Sequence, residues 1–373
     1  MNPASPAAAA PETAAAATGT AAAATGTAAG SETTSAAVAR VRSGAARRYR
    51  LVVTLLAVGI LAVFALSLMA GRTFYAPADV LNVILGEDVP GASFAVGRLR
   101  LPRAALAVLT GACFGLAGVA FQTMLRNPLA SPDIIGISSG AGAGAAFAIV
   151  GLGLGGAAVS TFAIVSGLIV ALAVYALSYK RGVADTRLIL VGIGIAAMLD
   201  SVTAYVLNQA PEWELQEAMR WLTGSLNGAS WNQVLPVLAA MLVLTPVLLG
   251  QSKNLAVTRL GDDAASALCV RVNLTRIVVI VAAVGLISFA TAAAGPIAFV
   301  AFLSGPIAAR LVGPGPSLLI PAGLVGALLV LVADFCGQYA FGTRMPVGII
   351  TGVLGAPFLV YLIVRVNRAG ASL

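Results

Sequence analysis

Residues 97–144 read GRLRLPRAALAVLTGACFGLAGVAFQTMLRNPLASPDIIGISSGAGAG, and this stretch decides the class of fold. An apolar run rich in Gly and Ala lies between an Arg-flanked Leu-Pro-Arg and an Arg-Asn-Pro-Leu-Ala turn. Small residues let helix backbones approach closely in lipid, where van der Waals packing replaces the hydrophobic drive that acts in water. The polar clusters at both ends mark where such a helix leaves the membrane. The stretch therefore predicts a closely packed transmembrane helix.

The composition of the whole chain indicates the same class. Apolar residues make up 59% and charged residues 10% of the 373 residues, and the mean hydropathy is +0.97. Runs of about 20 apolar residues, the length that crosses a bilayer, favour helices over the short alternating strands of a barrel. The chain contains no His, the commonest metal ligand, and its three Cys lack metal-ligand spacing. Neither a metal site nor a cofactor is predicted.

Ten membrane-spanning segments are predicted from hydropathy and helix breakers. The third and eighth are short, and the Gly and Pro residues at their boundaries indicate broken or partly crossing helices. The ten segments are 51–70, 97–124, 134–150, 157–178, 188–208, 232–250, 276–294, 297–312, 318–336 and 347–364.

The first 50 residues differ from the rest. Residues 1–39 consist largely of Ala, Thr, Gly, Pro and Ser, a composition that cannot bury enough apolar surface to offset chain entropy, so a disordered tail is predicted over 1–50. A transmembrane domain over 51–367 and a short tail over 368–373 follow. Five arginines end the first tail, and a basic cluster beside a first transmembrane helix predicts a cytoplasmic N-terminus. No nucleic-acid role is predicted for it.

The distribution of positive charge supports this topology. Of the 22 Lys and Arg residues, 16 fall in segments that the topology places inside and six in segments that it places outside. An excess of positive charge on the cytoplasmic side is the general rule for helical membrane proteins. We therefore expect a multi-pass protein of the cell (plasma or inner) membrane, with both termini in the cytoplasm.

The longest inner connection, residues 251–276, has an amphipathic pattern that a glycine interrupts at Gly261. Asp262 can cap the start of a second short helix. One interpretation is an amphipathic helix that rests on the bilayer surface. The other is a helix–Gly–helix elbow that docks into a groove on a partner. The apolar residues at helical spacing are Leu255, Leu260, Ala264, Ala267 and Leu268.

Three arginines, Arg98, Arg100 and Arg103, cluster at the start of the second segment. A lone interfacial Arg commonly extends its side chain to the lipid headgroups. Three arginines around a Pro that starts a helix form a denser positive site than anchoring requires. Arg344 is a further arginine in a predicted outer loop.

Few polar residues lie within the predicted segments. An acid at membrane depth costs about 2.5–3.5 kcal/mol on insertion scales and faces protein or water. Asp200 therefore lines a cavity, accepts an interhelical hydrogen bond or pairs with an Arg. Gln122 and Ser201 are secondary candidates for a translocation pathway, with helix–helix contact as the alternative.

The chain contains no Gly-x-x-x-x-Gly-Lys-Ser/Thr phosphate-binding loop. If transport uses ATP, another polypeptide must bind it. Asp262 and Asp263 are adjacent acids, but no second acidic cluster accompanies them among the inner loops, so a metal-dependent membrane enzyme is not supported. An ion-coupled secondary transporter with Asp200 as carrier is a further alternative, and the lack of a His or basic relay argues against it.

In their order and spacing these motifs resemble the FecCD-type permeases, the membrane subunits of ABC importers for iron-siderophores, haem and vitamin B12. The resemblance rests on residues 97–144, on LGDDAASALCVRVN at 260–273, on the Trp-x-x-Gly-Ser-Leu stretch at 221–226 and on AAAGPIAFVAFLSGPIAARLVGPG at 292–315. Four sites depart from the family pattern. Cys269 stands where Gly is usual, Gly305-Pro306 where Pro-His or Pro-Gln is usual, Gln338 where an Arg often lies, and Arg344 where an acidic residue precedes Leu-Pro-x-Gly.

The resemblance implies an all-α polytopic bundle of about ten transmembrane helices with the architecture of a type II ABC importer permease. It implies a second permease subunit, two cytoplasmic ATPase subunits and an extracytoplasmic substrate-binding protein as partners, and no covalent chemistry in this chain. Ferric siderophore is the favoured cargo, and cobalamin and haem are the alternatives.

The resemblance also implies roles for particular residues. Arg100 and Arg103 would receive acidic residues of the binding protein, and Arg344 is hypothesised to replace the arginine lost at position 338. The helix that carries Asp200 would border the translocation channel. Residues 251–276 would press on the ATPase subunit, with the coupling contacts made by Leu255, Leu260, Gly261, Asp262, Ala264 and Leu268.

Overall fold

The structure is a computed structural model that describes residues 20–71, 73–132, 136–178, 185–315 and 317–370. Its regular structure in these ranges is helical. By internal contacts the chain divides into two units, Met1–Arg48 and Tyr49–Leu373. The α-helices are α1 Thr20–Met69, α2 Pro77–Ile84, α3 Leu101–Met124, α4 Ile137–Ala146, α5 Ala157–Ser178, α6 Asp185–Asn208, α7 Glu212–Leu222, α8 Trp231–Gly250, α9 Ser252–Thr258, α10 Asp262–Ala267, α11 Val272–Ala294, α12 Val300–Val312, α13 Leu319–Tyr339 and α14 Val347–Gly370. Wider π-helical turns precede α3 at Ser93–Arg100 and follow α4 at Phe147–Gly151.

Within the described ranges, seven helices are long and apolar enough to cross a membrane. Three shorter apolar helices, Ile137–Gly151, Val300–Val312 and Val347–Leu362, accompany them. The ten helices fall on the ten predicted segments, which confirms the predicted helical membrane fold. Residues 134 and 135, the start of the predicted third segment, lie outside the described residues.

Helix α1 begins at Thr20, inside the segment for which composition predicts disorder. Alanine has the highest intrinsic helix propensity, and this segment is rich in it, so a helical backbone forms where the argument from burial predicted none. Residues 1–19 and 371–373 lie outside the described residues, as do Arg72, Lys180 and Arg181 of the charge count. The predicted boundaries of the two tails stay predictions.

Helix α3 is the most buried of the long helices and packs against α11, α12 and α13. Its glycines face carbonyl groups of the neighbouring helices. A Cβ on Gly111 would collide with the carbonyl oxygen of Gly326, and one on Gly118 would collide with that of Ala301. The helix backbones are therefore in direct contact, which confirms the close packing that the Gly/Ala pattern predicts.

Candidate docking and coupling sites

Two polar clusters lie at opposite ends of α3. The helix has 24 residues and so is about 36 Å long. We call Arg100, Arg103 and Arg344 the arginine cluster; the first two lie at the N-terminal end of α3. We call residues 251–276 the elbow; it lies against the C-terminal end of α3. A helix of this length reaches from one membrane surface to the other, so the two clusters face opposite sides of the membrane.

Arg103 is held by a buried acid. Its Nε lies 2.9 Å from Oδ2 of Asp334 and its Nη2 lies 2.8 Å from Oδ1, a bidentate pair in which the two side chains are 13% and 5% exposed. The Arg103 Nη1 donates to Oδ1 of Asn227 at 2.7 Å, and Nε2 of Gln338 donates to Oδ2 of Asp334 at 2.8 Å. Such charge-assisted pairs are strong and directional. Arg103 therefore joins α3 to α13 and to the loop between α7 and α8.

Arg100 binds the C-terminal end of α1. Its Nη1 donates to the carbonyl oxygens of Leu68 at 2.8 Å and Met69 at 3.0 Å, and its Nη2 donates to that of Thr73 at 2.8 Å. The guanidinium also lies 5.0 Å from the centre of the Tyr75 ring. The last carbonyls of a helix have no partner within the helix, and a cation there is favoured by the helix dipole. In this structure Arg100 supplies those hydrogen bonds.

The three residues of the arginine cluster line one cavity of about 930 Å³. Arg344 is exposed and forms no hydrogen bond or ion pair with another residue in the described part of the chain. Arg98 is also exposed but does not line the cavity. The structure thus places the three predicted docking residues at one cavity and leaves Arg98 outside it. Asn227 and Gln338 also line this cavity, where they bind Arg103 and Asp334. Asp334 and Gln338 are four residues apart, which is one helical turn, and this spacing was the one sequence feature that could have indicated a role for Gln338.

The elbow separates into an inner and an outer face. Leu255 is buried in the core, whereas Leu260 is 69% and Leu268 is 60% exposed. Ala264 is half-buried, and Gly261 adopts φ of 108°, a conformation that favours glycine. The structure therefore places Leu260 and Leu268 on the exposed surface of the elbow and Leu255 beneath it.

Cys269 ends helix α10 in a left-handed conformation, with φ of 61°. The amide of Val270 donates to the carbonyl of Ala265 and that of Cys269 to Ser266, each at 3.0 Å, which forms a Schellman motif. This position usually carries Gly, because a side chain in the left-handed region costs about 1–2 kcal/mol. The side chain of Cys269, where the family usually has Gly, therefore makes the end of α10 strained.

Gln122 replaces a backbone hydrogen bond that Pro306 removes. Pro306 lies inside α12 and has no N–H to donate to the carbonyl oxygen of Phe302, four residues earlier. The Nε2 of Gln122, on α3, donates to that oxygen at 3.0 Å. Gly305 leaves the necessary space, since a Cβ there would collide with Oε1 of Gln122. Gln122 therefore makes a contact between α3 and α12, which was the predicted alternative to a place on the translocation pathway.

This arrangement predicts that the effect of Gln122→Ala depends on Pro306. In the wild-type chain we expect a loss of about 1–3 kcal/mol in unfolding free energy, because the buried carbonyl of Phe302 loses its donor. In a Pro306→Ala background the restored backbone N–H should satisfy that carbonyl, so the same substitution should cost less. Thermal unfolding of the wild type, the two single variants and the double variant in detergent measures the difference. Equal costs of Gln122→Ala in both backgrounds would show that Gln122 does not substitute for the missing backbone hydrogen bond.

Asp200 and Ser201 lie on α6, away from Gln122. Both are exposed, and the hydroxyl of Ser201 donates to the carbonyl oxygen of Ala197 at 2.9 Å. Asp200 forms no hydrogen bond or ion pair with the residues that the structure describes. Helix α6 packs against α4 and α5, and few residues of its apolar span are fully buried. Their pathway role stays a prediction.

The structure is that of a helical membrane protein with a basic cavity at one end of a buried helix and an elbow with two exposed leucines at the other. The chain matches the FecCD transport family over residues 55–365 and therefore belongs to that family. This confirms the family resemblance drawn from the motifs. Membership makes the chain a membrane permease rather than an enzyme.

Two relatives and one solved structure show the extent of the similarity. The chain is 39% identical to the achromobactin transport system permease protein CbrC of Dickeya dadantii, over 82% of this chain and 89% of the relative. It is 35% identical to the ferric enterobactin transport system permease protein FepG of Escherichia coli, over 81% and 92%. A metal-chelate type ABC transporter solved in an inward-facing conformation matches with a TM-score of 0.77 and 27% identity, over 85% of this chain and 99% of that one.

Proposed function

We propose that this permease subunit belongs to an ATP-driven importer of ferric siderophores. A substrate-binding protein delivers the cargo at the arginine cluster, and two ATPase subunits act on the elbow from the cytoplasm. A second permease subunit completes the translocation pathway, which opens alternately to the two sides. Both termini lie in the cytoplasm.

One observation carries this proposal: a single buried helix, α3, contacts both sites. Arg103 in its first turn lines the cavity, and Arg126, directly after its last turn, lies 3.5 Å from Asp262 of the elbow. A rigid element that contacts both sites is a physical route by which events at one can bias the other. This arrangement suits a transporter that must coordinate cargo release outside with nucleotide hydrolysis inside.

The exposed surface of α6 supports a second permease subunit. Met198, Val202 and Tyr205 are exposed on this helix, and the exposed Asp200 lies among them. A carboxylate within an apolar span is costly in lipid and is favoured where it faces protein or water. A second subunit that covers α6, with Asp200 on a water-filled pathway between the subunits, satisfies both requirements.

The cargo is proposed from the relatives. FepG is a permease protein of a ferric enterobactin transport system, and the solved transporter is of the metal-chelate type. The test is uptake of radiolabelled ferric siderophore by cells with and without this chain in iron-limited medium, with labelled cobalamin and haem in parallel. We expect loss of the iron label alone. Loss of only the cobalamin or the haem label would contradict the siderophore proposal and retain the importer.

Docking at the arginine cluster can be tested at Arg344. Arg100 and Arg103 also hold the fold together, so their substitution mixes docking with stability. We expect Arg344→Glu to weaken binding of the substrate-binding protein about tenfold at 0.1 M salt and to slow its association, because charge complementarity steers encounter. Surface plasmon resonance on the purified transporter measures both.

Arg98→Glu is the matched control for this experiment. It makes the same charge change at an exposed arginine near the same end of α3 but outside the cavity. We expect it to leave the affinity within about twofold of the wild type, since the field of an exposed charge is screened within about 10 Å at 0.1 M salt. Equal affinities for the two variants would contradict docking at the cavity.

A further inference from the structure

Asp262, the first residue of α10, contacts two different parts of the helix bundle. Its Oδ2 lies 3.1 Å from Nη2 of Arg276 near the start of α11, and its Oδ1 lies 3.5 Å from Nη2 of Arg126 after the end of α3. We call these three residues the Asp262 triad. Asp262 lies on α10 within the elbow, Arg276 lies on α11 at the last residue of the elbow, and Arg126 follows α3, so the triad joins α10 to α3 and α11 at once.

Because Arg276 is buried, the loss of its contact with Asp262 has a large energetic cost. Its side chain is only 8% exposed, and an arginine keeps its charge under all physiological conditions. A buried charge is strongly destabilised when its partner is removed. Asp262 is 41% exposed and lies beside Gly261, so Arg276 forms the buried end of the contact and α10 carries the exposed end.

Arg126 is fixed by its backbone as well as by the acid. It adopts φ of 51°, and the amides of Arg126 and Asn127 donate to the carbonyls of Thr123 at 3.3 Å and Gln122 at 3.0 Å. This Schellman motif ends α3 and sets the direction of the Arg126 side chain. A displacement of Asp262 therefore acts on the end of the helix that begins at the arginine cluster.

We propose that Asp262 is a positioning residue that transmits movement of the elbow to α3 and α11. This inference rests on the proposed function, in which an ATPase subunit moves the elbow. Leu260 and Leu268 make the contact with the ATPase, and the Asp262 triad converts that contact into displacement of the bundle. Loss of the acid uncouples hydrolysis from transport while leaving the docking surface intact.

Asp263 provides a matched control. It is the next residue, carries the same charge and is exposed, and it makes no hydrogen bond or ion pair with any other residue that the structure describes. Asp263→Asn removes the same charge from the same turn of α10. A difference between the Asn variants at the two positions therefore reports the triad contacts rather than the net charge of the elbow.

The experiment uses the complete transporter in proteoliposomes, with its ATPase subunits, its binding protein and radiolabelled ferric siderophore. We expect Asp262→Asn to retain the ATPase subunits and to lower the amount of chelate imported per ATP hydrolysed about five- to tenfold, the size of a typical coupling between sites. Asp263→Asn should keep the wild-type ratio, and Asp262→Glu should recover much of it. A wild-type ratio in Asp262→Asn would overturn the proposal.

Three further variants keep the test decisive. Arg126→Gln removes one arm of the triad and leaves Arg276 paired, so it should assemble and lower the same ratio to a smaller extent; a wild-type ratio there would also overturn the proposal. The pair Leu260→Glu and Leu268→Glu should release the ATPase subunits, whereas Met at both positions should keep them. Retention of the ATPase by the Glu pair would contradict the proposed function at the docking surface, an outcome distinct from failure of the triad.

Discussion

Replacing Asp334 by Ala should destabilise the helix bundle by about 3–5 kcal/mol, because it leaves a buried arginine without its counter-ion. Arg103 donates to both carboxylate oxygens of Asp334, and both side chains are largely buried. The change also removes the acceptor of the Gln338 side-chain amide, which donates to the same carboxylate. Thermal unfolding of the detergent-solubilised protein measures the loss.

A double variant separates stability from function at this pair. Arg103→Met with Asp334→Leu removes both charges and keeps similar volumes, and apolar replacements of a buried pair are often neutral or stabilising. We expect the double variant to regain most of the lost stability but to bind the substrate-binding protein more weakly than the wild type. If Asp334→Ala were as stable as the wild type, Arg103 would have another anion to pair with and the pair would not be essential to the fold.

Gly111→Ala should also have a large effect, because the added methyl group would collide with the carbonyl oxygen of Gly326 on α13. Neither backbone can move without separating the two helices, and overpacking of this kind costs about 1–3 kcal/mol and occasionally more. We expect a lower melting temperature and less folded protein in the membrane. The melting temperature and the folded fraction in a size-exclusion profile are the measurements.

Gly59→Ala on α1 is the control for Gly111→Ala. A Cβ at Gly59 would meet only the side chain of Leu328, at 3.8 Å, which is an ordinary van der Waals contact. The same chemical change should therefore be neutral or slightly stabilising, since Ala has a higher helix propensity than Gly. Equal melting temperatures for the two variants would show that close approach of α3 and α13 does not limit stability.

The sequence predicts the class of fold well because one physical constraint dominates it. A backbone in lipid must satisfy its hydrogen bonds within each segment, so apolar length alone indicates the helices. The Leu-Pro-Arg and Arg-Asn-Pro-Leu-Ala clusters mark the two ends of α3. The glycines between them predict close packing, which the contact between Gly111 and Gly326 confirms. No comparable sequence pattern indicates which residues far apart in the chain come into contact.

The pairing of Arg103 with Asp334 shows this limit. The two residues are separated by 231 positions, and the sequence marks both as polar residues at the edge of apolar segments without indicating that they meet. The role of Gln122 is similar, because it depends on a carbonyl that Pro306 leaves without a donor in another helix. The packing of α3 against α12 and α13 creates both contacts.

The elbow shows a second limit. Helical spacing groups Leu255 with Leu260 and Leu268, but spacing alone does not tell which side of an amphipathic segment meets its own bundle. The structure buries Leu255 and exposes the other two.

The most direct test of the account is import into proteoliposomes that contain the permease and its ATPase subunits, with the binding protein and labelled ferric siderophore outside. We predict accumulation that requires both ATP on the ATPase side and the binding protein, and no accumulation when an imposed proton or sodium gradient is the sole energy source. Accumulation driven by such a gradient without ATP would contradict it and would indicate a secondary transporter with Asp200 as the ion-coupled group.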